Sequence, residues 1–261
     1  MAKFEIIGER IQILAPEVRE ALASRNPEPI LRRAKEQLDA GATYLDLNIG
    51  PAEKDGEELM PWGVKLLQEN FDNVPLALDT VNAKAIEAGI AVYNRSKGKP
   101  IVNSADAGER ISAIDLAAAN DAIIIALCSK AGVPRNNEER MEYTQAMLER
   151  GLGLGLEAED MWFDPLTLVI KGMQEKQPEY FEFIRQLTDM GLKSVVGLSN
   201  ASNGMPPEVR PKVDNVMMAM AMQCGLSAVI VNPGALGMME VIKTAEIILD
   251  HAIYSDSYLD I

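Results

Sequence analysis

The chain has 261 residues, close to the roughly 250 of a one-domain α/β barrel, and one domain spanning residues 1–261 is the expectation. Its 25 basic and 39 acidic residues leave a net charge of −14, which repels polyphosphate and anionic lipid and argues against nucleic acid or membrane partners. The amino terminus enters a strand-like run without an export signal, and the longest apolar runs are far shorter than a bilayer span, so a cytoplasmic location is expected. Two cysteines, Cys128 and Cys224, and a single histidine, His251, exclude a disulfide framework and a thiolate-rich zinc site.

Eight short apolar or β-branched runs recur along the chain: Phe4 to Gly8, Thr43 to Ile49, Val74 to Leu78, Pro100 to Val102, Ala122 to Leu127, Met161 to Phe163, Ser194 to Leu198 and Ser227 to Val231. Their near-continuous apolar character suits strands covered on both faces. The intervening segments carry helical stripes. Ile30, Leu31, Ala34 and Leu38 form one that stops at Gly41, where a glycine relieves a left-handed turn. Asn82, then Asn136 or Asn137, then Asp214 stand where helix N-caps are expected. This rhythm predicts a (β/α)8 barrel of the TIM type.

Polar residues gather where those runs end. Glu9 ends the first, Asp46 and Asn48 lie late in the second, and Asp79, Asn103, Asp164, Asn200 and Asn232 end the third, fourth, sixth, seventh and eighth. Acids and amides also favour such positions for turn chemistry. In a closed parallel barrel, however, every strand end opens on one face, so these residues converge on one cavity. A ring of Asp and Asn without a second histidine or a strand-end lysine disfavours covalent catalysis. It suits a heterocycle edge with adjacent N–H donors beside an acceptor, such as a 2-amino-4-oxo pterin. On inventory alone a nucleoside or flavin edge fits nearly as well.

Longer motifs narrow this choice. Ile7-Gly8-Glu9-Arg10, the segment Tyr44 to Pro51, Leu78-Asp79-Thr80, Ala85 to Gly89, Val102-Asn103-Ser104, Phe163-Asp164-Pro165-Leu166 and Gly197-Leu198-Ser199-Asn200 resemble the methyltetrahydrofolate:corrinoid protein methyltransferases. The resemblance runs over essentially the whole chain, to Ala245 to Leu249 and Tyr254 to Tyr258. It implies a pterin-binding barrel, commonly a homodimer, that exchanges the N5-methyl group of methyltetrahydrofolate with the cobalt of a separate corrinoid protein. Tetrahydrofolate is then the demethylated partner substrate, and the corrinoid (cobalamin) arrives on another chain.

By the same resemblance Asp79, Asn103 and Asp164 hold the pterin ring and Asn200 addresses nitrogen 5. Because Asn200 donates a hydrogen bond but no proton, the proton comes through water or a carboxyl group, with Asp79 the candidate carboxyl. Asp46, Asn48, Ser199, Glu9 and Gly197 are supporting positions.

Asn203 to Pro207 replaces a more polar segment of other members, and Val231 to Gly234 differs from the acetogenic carbon monoxide pathway enzymes. The latter departure points to another corrinoid partner, such as one of methylamine, glycine betaine or aryl ether demethylation. Dihydropteroate synthase is the nearest alternative, but its Ser-Arg at the seventh strand is Ser199-Asn200 here. A non-catalytic pterin-binding subunit is the other. The chain lacks the zinc-cysteine module and the corrinoid-binding signature of cobalamin-dependent methionine synthase. Gly151 to Gly155 is read as a turn rather than a phosphate loop, because it follows a helix. Met217, Met218, Met220 and Met222 are read as outer-layer packing or a subunit contact, and His251 as a packing or capping residue.

Overall fold

A computed structural model describes residues 4–259. Eight parallel strands close in sequence order: β1 (Glu5–Gln12), β2 (Tyr44–Asn48), β3 (Leu76–Asp79), β4 (Ile101–Asp106), β5 (Ile123–Leu127), β6 (Met161–Asp164), β7 (Lys193–Gly197) and β8 (Ala228–Val231). Nine α-helices accompany them among the described residues: α1 (Pro16–Ser24), α2 (Pro27–Asp39), α3 (Gly56–Asn70), α4 (Ala83–Ala91), α5 (Ala113–Ala119), α6 (Asn137–Gly153), α7 (Gln177–Asp189), α8 (Arg210–Gln223) and α9 (Met238–Ile248). The expected (β/α)8 barrel is the observed architecture. None of the described helices is long and apolar enough to cross a membrane.

Successive strand residues point to opposite faces, and in this barrel that parity sorts the chain. Leu45, Leu47, Leu78, Val102, Ile124 and Phe163 face outward and pack under the helices. Ile7, Ala77, Ile101, Ile125, Trp162, Val195 and Ala228 face inward and fill the barrel with one apolar cluster. Trp162 crosses that interior, meeting Tyr44 edge to face at a centroid distance of 5.9 Å, and its indole N–H donates to the Glu159 carbonyl at 3.1 Å.

Two strands run further than their apolar content suggests, and each carries an irregularity. In β1 the pairing with β2 slips between Gly8 and Ile11, so Glu9 lies within the strand rather than at its end. The slip is held by Gln37 of α2, whose side-chain oxygen accepts the Arg10 backbone N–H at 2.7 Å. A Cβ at Gly8 would stand 2.5 Å from that oxygen, so the glycine makes room for it. In β4 the pairing with β5 slips after Asn103 and the strand continues to Asp106.

Helix ends follow the expected signals with one exception. Asn82 and Asn136 accept the backbone N–H groups of Ala85 and Glu139, and Gly41 adopts φ +104° after α2. Asp214 does not cap its helix: α8 starts earlier, at Arg210 with Pro211 in its first turn, because proline is favoured where the first N–H groups have no partner anyway. Gly151 and Gly153 close α6 rather than forming a turn, which comes at Gly155 with φ +89°. Met217, Met218 and Met222 are buried while Met220 is exposed. His251 is exposed. Cys128 and Cys224 are free and buried, and burial pushes the Cys128 thiol up to about 12.

Trp162→Ala should lower stability by about 3–5 kcal/mol, read as a reduced urea midpoint at unchanged slope, because the indole fills the barrel centre. A loss under 1 kcal/mol would mean that the interior collapses around the gap.

Candidate functional site

The parity that seats Ile7, Tyr44, Ala77, Ile101, Trp162, Val195 and Ala228 inside the barrel places Asp46, Asn48, Asp79, Asn103 and Asp164 on the same inner face, one or two steps nearer the strand ends. Asn48 pairs with Asp79, and Asp79 with Asn103, across adjacent strands. Apolar packing below and carboxyls and amides above are thus one alternation read along each strand.

The amides bind the acids together. Asn48 donates from its side-chain nitrogen to Asp79, while its oxygen accepts the Gly50 N–H at 3.1 Å. Asn103 donates to Asp46 Oδ1 at 3.2 Å. Asn48 therefore has both ends engaged and acts by positioning Asp79. Burial drives the Asp46 pKa well above the carboxylate range, and the adjacent Asp79 charge raises it further. Protonated, Asp46 donates to Asp79, whose own pKa burial pushes up to about 6 against the opposing effects of the Asn48 bond and the Arg110 charge.

Asp164 stands apart from that pair. Its Oδ1 accepts the Leu166 N–H at 2.8 Å, and burial pushes it up to about 7. The loop that follows is held by Arg140, fully buried, which donates from Nε to the Pro165 carbonyl at 3.1 Å and from Nη1 to Asn137 at 2.8 Å.

Glu9, Ser199 and Asn200 lie on the β1, β7 and β8 side, lining a cavity of about 650 Å³ with Asn232. Ser199 donates to Glu9 Oε2 at 3.0 Å, and burial raises the Glu9 pKa more than this bond lowers it. Asn200 sits in a short turn after β7; its oxygen accepts from Asn203 at 3.3 Å, and its amide N–H groups have no acceptor among the described residues. A Cβ at Gly197 would stand 3.1 Å from the Asn200 nitrogen, so a larger residue there would crowd the amide. The structure thus brings the nine expected residues to one mouth in two groups: Asp46, Asn48, Asp79 and Asn103, bonded in pairs across β2 to β4, with Asp164 on β6, and Glu9, Gly197, Ser199 and Asn200 on the β1 and β7 side.

Asp164, Asn48 and Asn232 also accept the backbone N–H two residues on. The turn chemistry expected of such residues is therefore present and uses one atom of each.

Sequence reasoning missed Asp106 and Arg110. Burial alone would raise Asp106, but bonds from the Arg110 side chain and from the Arg110 and Gly108 backbone hold it below the usual range. Arg110 Nη1 also reaches Ser104 Oγ at 3.3 Å. The Asp106, Arg110 spacing of four was the available signal. Arg210 and Asp214 were missed as site-lining residues; they meet at Ser202, which accepts from Arg210 Nε at 3.1 Å and donates to Asp214 Oδ2 at 3.0 Å.

A barrel mouth of enclosed carboxyls and carboxamides has the acceptors that suit a polar heterocycle rich in N–H donors. The chain belongs to the pterin binding enzyme family, whose model matches residues 17–232. It is 27% identical over 253 residues to a methylcorrinoid:tetrahydrofolate methyltransferase of Eubacterium limosum, covering 94% of this chain and 90% of that protein. It is 25% identical over 243 residues to a methionine synthase of Mycobacterium leprae, covering 87% of this chain but only 20% of that longer protein. Among solved structures it resembles a dihydropteroate synthase of Yersinia pestis with a TM-score of 0.73 at 18% identity, covering 95% of both chains. A dihydropteroate synthase of Coxiella burnetii also has a TM-score of 0.73, at 14% identity over 97% of this chain and 95% of that one. These two likenesses are of fold.

The folded chain holds protons on Asp79 and Asp164 up to about pH 6 and 7, whereas the unfolded chain releases them near pH 4. Their contribution to stability therefore falls as pH rises through this window. Asp164→Asn keeps the acceptor for Leu166 and removes one such proton. Its melting temperature relative to wild type should rise between pH 4.5 and 8 in calorimetry without ligand. Parallel curves would mean that Asp164 ionises normally.

Proposed function

We propose that the chain moves the N5-methyl group between methyltetrahydrofolate and the cobalt of a corrinoid carried by a separate protein. The observation that carries this reading is the combination of an enclosed acid and amide set with Asn200 N–H groups, at the same mouth, that have no acceptor among the described residues. Asp164 has an oxygen free for the adjacent N–H donors of a pterin edge, which stabilise its ionised form. Asp79 and Asn103 complete the contacts to the ring, with Asp46 and Asn48 fixing their orientation. The relation to a methylcorrinoid:tetrahydrofolate methyltransferase along nearly its full length supports the same reading.

In this reading the methyl carbon takes an electron pair from cobalt(I) of the substrate corrinoid as its bond to nitrogen 5 breaks, and nitrogen 5 keeps the bonding pair. Charge builds on that nitrogen, so a donor there lowers the barrier more than it tightens ground-state binding. Asn200 is that donor. Glu9, Ser199 and Gly197 hold its turn in place. Asp79, raised to about 6, carries a proton in a useful fraction at neutral pH and delivers it to nitrogen 5 directly or through water. Transfer in the opposite direction uses the same groups in reverse.

The proposal includes a homodimer in a cytoplasmic setting. A groove of about 1050 Å³ between α7 and α8, edged by Phe181 and Met220, supports an outer-face contact.

Mixing the protein with methyltetrahydrofolate and free cobalt(I)alamin should give the methylcobalamin spectrum. Asn200→Ala should slow this about 10²-fold, the usual cost of one transition-state donor, while leaving folate affinity within threefold. A wild-type protein that binds the folate but methylates neither free cobalamin nor corrinoid proteins would contradict the assignment.

A further inference from the structure

The cavity beside Asn200 contains a cation that the proposed transfer does not use. The slip in β1 turns Arg10 as well as Glu9 toward this cavity, as bulges commonly re-aim side chains beside a site. The Arg10 backbone is fixed at both ends, its N–H by Gln37 at 2.7 Å and its carbonyl by Arg33 Nη1 at 3.4 Å. Its half-buried guanidinium has no hydrogen bond or ion pair with any described residue. The other charged groups lining the cavity are engaged: Glu9 by Ser199, Asp214 by Ser202, and Arg210 by Ser202 and the Ser199 carbonyl.

The remaining lining is mixed: Leu14, Pro207, Pro211, Ala235 and Met238 supply apolar surface, and Gln12, Asn203, Asn215 and Asn232 stand among them. Leu14 is 79% exposed at its edge. At about 650 Å³ the space is of small-molecule size. Apolar residues in the same cavity as an unpaired guanidinium suit an aromatic ring that leads to a carboxylate, since Arg matches carboxylate geometry with two parallel donors.

We infer that this cavity receives the benzoyl-glutamate tail of the folate, with Arg10 binding a tail carboxylate. The inference rests on the folate reading above and extends it from the pterin ring to the rest of the substrate. Asn200 lines the same cavity, so a ring held opposite with nitrogen 5 at Asn200 directs its neighbouring tail-bearing carbon into this space. Arg10 then sets specificity for the tailed substrate and takes no part in methyl transfer.

The test compares 5-methyltetrahydrofolate with the same methylated pterin lacking the benzoyl-glutamate, by calorimetric affinity and by transfer to cobalt(I)alamin. Wild type should prefer the tailed compound about tenfold, the size expected of a charge-assisted hydrogen bond. Arg10→Gln should abolish most of that preference while leaving the tail-less pterin unchanged, and Arg10→Lys should restore part of it. Equal loss on both compounds, a preference that survives Arg10→Gln, or a changed KM for cobalamin in place of folate would each overturn the assignment. Wild type that binds neither compound would fail the folate reading itself, and this inference with it.

Discussion

Carboxyl groups enclosed at the mouth of a closed barrel, with amides rather than cations in direct contact, resist ionisation, and the proposed chemistry depends on that resistance. Water solvates an exposed carboxylate; Asp46, Asp79 and Asp164 have lost most of that water. Full ion pairs would hold these acids ionised and fully engaged. Amide donors from Asn48 and Asn103 orient Asp79 and Asp46 without fixing their charge. Arg110 is directed instead to Asp106 and Ser104, near enough to moderate Asp79 through its field. Asp79 and Asp164 are thereby raised to about 6 and about 7, and a ligand presenting N–H donors would supply what the protein withholds.

The barrel accomplishes this with one geometric rule and two departures from it. Alternation along parallel strands places apolar side chains in the interior and acids one or two steps higher, so the packed core and the polar mouth share their supports. Trp162 and Asp164 illustrate this, two residues apart on β6. The departures fall in β1 and β4. In β1 the slip brings Glu9 and Arg10 to the cavity beside Asn200; in β4 it extends the strand to Asp106. Both add charged groups where strict alternation offers fewer.

Much of this was legible because strand parity is a sequence property. The runs ending at Asp79 and Asp164 appear in the barrel as read, and Asn103, though β4 continues past it to Asp106, stands inside with them. Arrangements that depend on distant partners were not legible. Gln37 holds the β1 slip from 27 residues away, and nothing within Gly8-Glu9-Arg10 announces it. Asp214 resembles an N-cap, but Pro211 starts the helix earlier and turns the carboxylate toward Ser202. Arg140 lies in the polar stretch Asn137-Glu138-Glu139 and reads as a solvated helix face, yet it is fully buried beneath the Asp164 loop. Its role comes from the packing of that loop, which no local pattern encodes. The division of the site into two groups across the mouth likewise depends on barrel closure.

Proton release on folate binding tests the poised carboxyls most directly. Calorimetric titration of the wild-type protein with methyltetrahydrofolate at pH 6, in buffers of different ionisation enthalpy, reads the number of protons exchanged. If the pterin edge ionises Asp164, about one proton is released per site, and affinity rises with pH between about 5 and 7. Binding with no exchanged proton, or with affinity that falls over that range, would show that the acids are already ionised or do not meet the ligand.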